Sequence, residues 1–149
     1  MKKLLLLISV FAAAYIGIAQ SSRSPYAHSQ EAGVETNSAV DRVFAYAFAN
    51  HQSHVAVQGG AIVTKILPDD NDGVRHQRLI VQLASGQTLL IAHNIDLAGR
   101  IASMRVGDRV EFRGEYEWNS KGGVIHWTHH DPSGRHSSGW LKHNGQTYL

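Results

Sequence analysis

From His54 onward the apolar residues of this chain recur at every second position, and short turn signals interrupt them at the intervals of a compact sheet. A period of two places alternate side chains on opposite faces of an extended backbone, so this part of the chain can bury one face only as β-structure. The clearest stretch is Arg109 to Trp118. There Val110, Phe112, Tyr116 and Trp118 oppose Arg109, Glu111, Arg113, Glu115 and Glu117.

The same pattern predicts a long first strand over Val55 to Leu67, in which Gly59-Gly60 allows a bulge and a bend. The acidic turn Pro68 to Gly73 ends it. Arg75 to Leu83 reads as a second strand, with Leu79, Val81 and Leu83 on one face and His76, Arg78 and Gln82 on the other. Thr88 to His93 is a third strand, and Asn94 can cap a short helix carrying Leu97, Ile101 and Met104. After the 109 to 118 strand, Asn119 to Gly123 turn into a fifth over Val124 to His130. Asn144-Gly145 suits a two-residue type I′ turn between Trp140 to His143 and Gln146 to Leu149. Three strands, a helix and two strands is the order of an OB-fold, a partly open barrel often used to hold oligonucleotides or oligosaccharides. The expectation is a mainly β chain: a small OB-fold-like barrel of about five strands with a helix between strands 3 and 4, an N-terminal amphipathic helix and a C-terminal hairpin. Another small barrel or an α+β roll stays open, because strand order in space cannot be read from one sequence.

The N-terminal third is of a different kind. Lys2 and Lys3 precede an apolar run from Leu4 to Ile18, and Gly17 and Ala19 suit signal-peptidase cleavage, so residues 1–19 read as a secretory signal with Gln20 as the mature start. A spanning helix needs roughly 18 or more apolar residues, and this run falls short. The expected location is periplasmic or secreted, without membrane contact after cleavage. Residues 20–36, rich in Ser, Pro, Gly, Gln and Glu, read as a flexible tether. A single domain from 37 to 149 follows. It opens with an amphipathic helix over about 38 to 50, in which Val40, Val43, Phe44, Ala47 and Phe48 recur at helical spacing.

Loss of Lys2 and Lys3 from the 14 Lys and Arg leaves the basic residues balanced by the 12 Asp and Glu. A neutral chain argues against strong non-specific nucleic-acid binding. Cys is absent, so neither a lipidated Cys nor a disulfide can form.

Four motifs carry a resemblance: Arg75-His76-Gln77-Arg78, Ala92-His93-Asn94-Ile95-Asp96-Leu97, Glu115-Tyr116-Glu117-Trp118-Asn119 and His126-Trp127-Thr128-His129-His130-Asp131-Pro132. With these the chain, from about residue 54 to its end, resembles a family of small exported bacterial proteins designated DUF3465. The resemblance implies an exported OB-like barrel and assigns no catalytic roles.

The densest chemical signal is His126 to His136, with four His and Asp131. Imidazole and carboxylate suit zinc or another divalent transition metal, and His126, His130, Asp131 and His136 are the candidate ligands. Spacing tempers this, because on an extended strand His126 and His130 would lie roughly 13 Å apart at about 3.3 Å per residue. A site would need the chain to turn after Pro132, or ligands such as His76 or His93 from neighbouring strands. His129 also suits a packed, hydrogen-bonded role, Asp131 ordinary turn chemistry, and His143 a solvent-facing position beside the hairpin.

Arg75 and Arg78 with His76 can hold phosphate or carboxylate, or can equally pair with the acidic turn or with Glu115 and Glu117. Glu115 and Glu117 share a strand face and can act as an acid/base pair or form a solvated ionic stripe. His93 stands at a strand end beside Asn94 and Asp96. Trp118 and Trp127 offer stacking faces. The expected function is binding of a small anionic or polar oligomer, an oligonucleotide or oligosaccharide, through a His/Arg/Trp-lined face. The alternative is a nuclease-like phosphodiester hydrolase, metal-assisted, in which His76, His93 or His130 moves protons and Arg75 or Arg78 stabilises charge.

Overall fold

Strand β1, Val55–Asp70, is long enough to serve two partners in succession. In the computed structural model, which describes residues 38–149, its first half pairs antiparallel with β4 (Arg109–Glu117), from Val55 opposite Tyr116 to Ile62 opposite Arg109. From Ile62 onward it pairs with β2 (His76–Gln82) instead. The signal, the tether and the cleavage site expected in residues 1–37 lie outside the described residues.

The change of partner needs a bend, and the ladder breaks between Val63 and Lys65 and again between Leu67 and Asp70. Gly59-Gly60, the expected bulge, keeps an unbroken register with Phe112 and Glu111. Its purpose is space. Gly59 is in phase with the buried Val57 and Ala61, and a Cβ there would lie 2.7 Å from Val40 Cγ1 and 3.2 Å from Phe112 Cζ. The strand also runs past its expected end at Leu67. Pro68 is accommodated because it falls in the second irregularity, where the ladder requires no N–H from it.

β2 pairs with β3 (Thr88–Asn94), β3 runs parallel to β5 (Val124–His126), and β5 pairs with β4, which returns to β1. The result is a closed ring of five strands, mainly β as the alternation predicts. Inward side chains from every strand fill it, among them Val63, Leu79, Ile91, Phe112, Tyr116 and Ile125, all fully buried. β6 (Trp140–His143) adds to β4 alongside Glu111 to Arg113, and β7 (Gln146–Tyr148) adds to β6. Asn144 and Gly145 between them take φ of 49° and 82°, as the expected type I′ turn requires.

Helix α1, residues 38–49, packs on the ring through Phe44 and Ala47. Phe44 meets Phe112 and Tyr116 edge-on, with centroids 6.0 and 5.6 Å apart. Val43, placed on the same face by spacing, is turned to solvent. The short helix expected after Asn94 does not form, and residues 95–108 are turns and irregular chain. Ile101 and Met104 are buried as expected, but Leu97 is exposed. The buried Gln77 explains the difference: its amide donates to Ile101 O at 3.0 Å and accepts from Ile101 N at 2.9 Å, meeting backbone demands that a helix would otherwise satisfy. No helix among the described residues is long and apolar enough to cross a membrane.

Candidate functional site

β5 ends at His126, four residues before its expected end, because Trp127 takes a left-handed φ of 53°. A non-glycine residue in that region must be held there by its surroundings. Here Thr128 and His129 are buried beneath it, while Trp127 itself stacks on His136 with centroids 4.2 Å apart. Residues 131–136 fold back to make this contact. Asp131 organises them, its carboxylate accepting from the backbone N–H of Ser133, Arg135 and His136 and from the Ser133 hydroxyl. The Ser133 bonds and these backbone donors hold the Asp131 carboxyl far below the usual carboxylate range.

This turn separates the four expected metal ligands. Asp131 is committed to its own loop, His130 is exposed with Nδ1 against Ser138 Oγ at 3.0 Å, and His136 packs on Trp127. His136 Nε2 still lies 3.8 Å from Asp131 Oδ2, but His126 faces elsewhere. The set of His126, His130, Asp131 and His136 therefore does not assemble. Asp131→Ala is expected to release the loop, so that trypsin cleaves after Arg135 much faster than in the unaltered protein while the far-ultraviolet circular dichroism is unchanged. Equal cleavage rates would show that the carboxylate does not hold the loop.

The arginine cluster is also committed to the fold. Arg75 is paired with Asp96, Nη2 to Oδ1 at 2.6 Å, and its backbone N–H donates to the same carboxylate at 2.8 Å. These contacts, the backbone bond first, hold Asp96 below the usual range. Arg78 donates to Pro68 O at 2.9 Å, and the acidic turn is met by Arg100, which pairs with Asp69 at 2.8 Å. His76 sits half-buried on the outer face of β2, next to the inward Gln77. His93 points inward and is fully buried. Its Nε2 lies 3.2 Å from Gly99 O, which can only accept, so Nε2 carries the proton and Nδ1 accepts from the Thr128 hydroxyl at 2.8 Å. Trp118 is a brace, its indole N–H donating to Phe48 O at 3.1 Å and its backbone N–H to Ser53 Oγ at 3.0 Å. His129 is buried as a packed residue, with Nδ1 donating to His130 O at 2.7 Å. His143, expected to face solvent, is buried and bonded through Nε2 to Asp108 Oδ2 at 2.7 Å.

Among the described residues, two features stand out as candidate sites. One is a groove of about 580 Å³ lined by Trp127 and His136 on one side, by Val74, Asn94 and Leu97 on the other, and by Arg135 at its rim. Val74 and Leu97 are each 52% exposed, so the loops hold apolar side chains open to solvent around the aromatic pair. The other adjoins Trp127 and gathers His54, Glu115, Glu117 and His126. Glu115 and Glu117 share the outer face of β4, and His126 on β5 stands directly opposite Glu115. His54, at φ 60° just before β1, brings Nδ1 to 3.0 Å from Glu115 Oε1 and 2.8 Å from Glu117 Oε1. The Glu115 hydrogen bond, with the charge of Glu117, raises the His54 pKa. Burial lowers that of His126 against the pull of the same two carboxylates. Burial by itself would raise Glu117, but the Ser53 hydrogen bond and the two imidazoles outweigh it and hold that carboxyl below its usual range.

The alternation that singled out Glu115 and Glu117 gives no sign of His54 or Arg135. Sixty-one residues separate His54 from Glu115, and only the β1–β4 pairing joins them.

No curated protein matches this chain. The family profile described as protein of unknown function (DUF3465) matches residues 29–149, a span that takes in α1 as well as the ring and the C-terminal hairpin. The chain belongs to that family.

Proposed function

We propose that this chain is an exported, OB-like binding module whose groove takes a small, uncharged polar oligomer, an oligosaccharide in preference to an oligonucleotide. The observation that carries the reading is the stacked Trp127–His136 pair, held at the wall of a groove by an over-determined loop. A volume of about 580 Å³ falls within the roughly 300–1,000 Å³ of small-ligand sites. Sugar rings present flat C–H faces that pack on aromatic rings, and the side chains of Asn94 and Arg135 at the groove supply hydrogen bonds to hydroxyls. The two arginines that would have favoured an anion are tied to Asp96 and to Pro68 O, so the preference moves away from phosphate.

The test is tryptophan fluorescence and calorimetric titration with chito-, cello- and malto-oligosaccharides beside a single-stranded poly-dT probe. Binding of at least one glycan series is expected, and Trp127→Ala should weaken it by about tenfold or more, since one stacked ring contributes about 1–3 kcal/mol. Glycan affinity unchanged in Trp127→Ala would remove the groove from consideration. Binding of poly-dT with no glycan bound would reassign the face to nucleic acid.

A further inference from the structure

We propose that His54, Glu115, Glu117 and His126 form a binding site for one divalent transition-metal ion of the zinc class. The site adjoins the groove through Trp127, but the proposal stands on other residues.

The donor set is two imidazoles and two carboxylates. Imidazole selects zinc, nickel, copper or iron over calcium and magnesium, which take oxygen alone. Geometry agrees with a single ion. Bonds of about 2.0–2.2 Å at the tetrahedral angle place donor atoms about 3.3–3.6 Å from one another. His54 Nδ1 lies 2.8 and 3.0 Å from the two glutamate Oε1 atoms, and His126 Nε2 lies 3.7 and 3.9 Å from the same two oxygens. These four of the six donor separations bracket the tetrahedral edge; the donors of His54, Glu115 and Glu117 all fall within 4.8 Å of one another, and His126 Nε2 stands outside that trio as a fourth, more distant donor beside the two carboxylates.

A proton on His54 bridging the two carboxylates is the competing account. It satisfies only part of the cluster. One N–H serves one acceptor, and it is directed at Glu115. Glu117 Oε1 and His126 Nε2 are buried atoms with no hydrogen-bond partner among the described residues, and they face each other at 3.7 Å. Unpartnered buried polar atoms are costly and rare. Two of them facing each other, a carboxylate oxygen approached only by the His54 imidazole and an imidazole nitrogen that offers its lone pair when the proton is on Nδ1, are what a cation would satisfy. The supports are ordered: the glutamates and His126 are on paired strands, and His54 immediately precedes β1, which pairs with the glutamates' strand. The His54 side chain is 81% exposed, which leaves a path for the ion from solvent.

The experiment uses the protein freed of metal with a chelator and returned to chelator-free buffer near neutral pH. Calorimetry with Zn²⁺ and visible absorption with Co²⁺ report stoichiometry and coordination. One Zn²⁺ per chain and a four-coordinate Co²⁺ spectrum are expected. Glu117→Gln and His126→Ala should each weaken Zn²⁺ by about a hundredfold or more, beyond what loss of an outer partner costs. Glu117→Gln preserves shape, and its unfolding midpoint without metal checks that the fold is intact. His130→Ala should bind as the unaltered protein does. Absence of stoichiometric Zn²⁺ binding, its retention in both Glu117→Gln and His126→Ala, or its loss in His130→Ala would overturn the assignment.

Discussion

Phe44→Ala is expected to lower the unfolding free energy by about 3–5 kcal/mol, while Tyr46→Ala changes it by no more than about 0.5 kcal/mol. The two aromatic residues stand two apart on α1, yet Phe44 is wholly buried and Tyr46 is 62% exposed. Phe44 inserts against Phe112 and Tyr116, inward residues of the ring, while Val40 of the same helix occupies the space left by Gly59. Truncating Phe44 therefore leaves a hole between helix and ring that stiff strands cannot close. Urea titration of both variants gives the comparison directly. Equal losses would mean that α1 is only loosely attached, and that the ring is stable without it.

Stability is expected to fall by about 3 kcal/mol as pH drops from 6.5 to 4, and His93 is the group responsible. Burial pushes its pKa down from the ordinary 6.5 to about 4, because a charged imidazole inside the ring would lose its hydration; the nearby His129 and His76 lower it further, and the Gly99 carbonyl and Thr128 oppose. The unfolded chain takes up a proton near 6.5, whereas the folded one resists until about 4. Over that window the unfolded state binds more protons, so acid favours unfolding. The contribution is complete above 6.5 and gone below about 4. The depressed carboxyls Glu117, Asp96, Asp108 and Asp131 act with the same sign, but only from about pH 5 downward, where the unfolded chain's carboxyls take up protons, so they add to the loss at the acid end of this window alone. His126, lowered by burial, adds to the slope, and His54, raised and exposed, opposes it. Chemical denaturation at several pH values, in chelator, should show a slope that flattens in His93→Gln. An unchanged slope in that variant would remove His93 as its source.

The legible part of this chain was the part written in neighbouring residues. Alternation over Arg109 to Trp118 placed Val110, Phe112 and Tyr116 inside and Glu115 and Glu117 outside, as the burial of β4 bears out. Asn144-Gly145 announced its hairpin by backbone preference alone. Where the fold departs from local pattern, a distant group has taken over a local demand. Gln77 supplied the bonds that would have made a helix around Ile101, twenty-four residues along the chain. Trp127 abandoned the strand because His136 stacked on it, so the spacing of His126 and His130 ceased to govern where they point.

The candidate sites divide in the same way. Sequence by itself determined the chemistry available: a Cys-free, His-rich chain of formal net charge +2, with carboxylates two apart on one strand face, Trp118 at the end of that strand and Trp127 after the next. It also determined the strands, because a period of two is a local property of the backbone. Only the tertiary structure decided which of these groups meet. The β1–β4 pairing carries His54 to Glu115 and Glu117, β5 sets His126 beside them, and the Asp131 loop turns Trp127 and His136 into a groove wall. Such meetings depend on strand order, register and a single left-handed residue, and each is settled by packing across the whole ring, which no window of neighbouring residues contains.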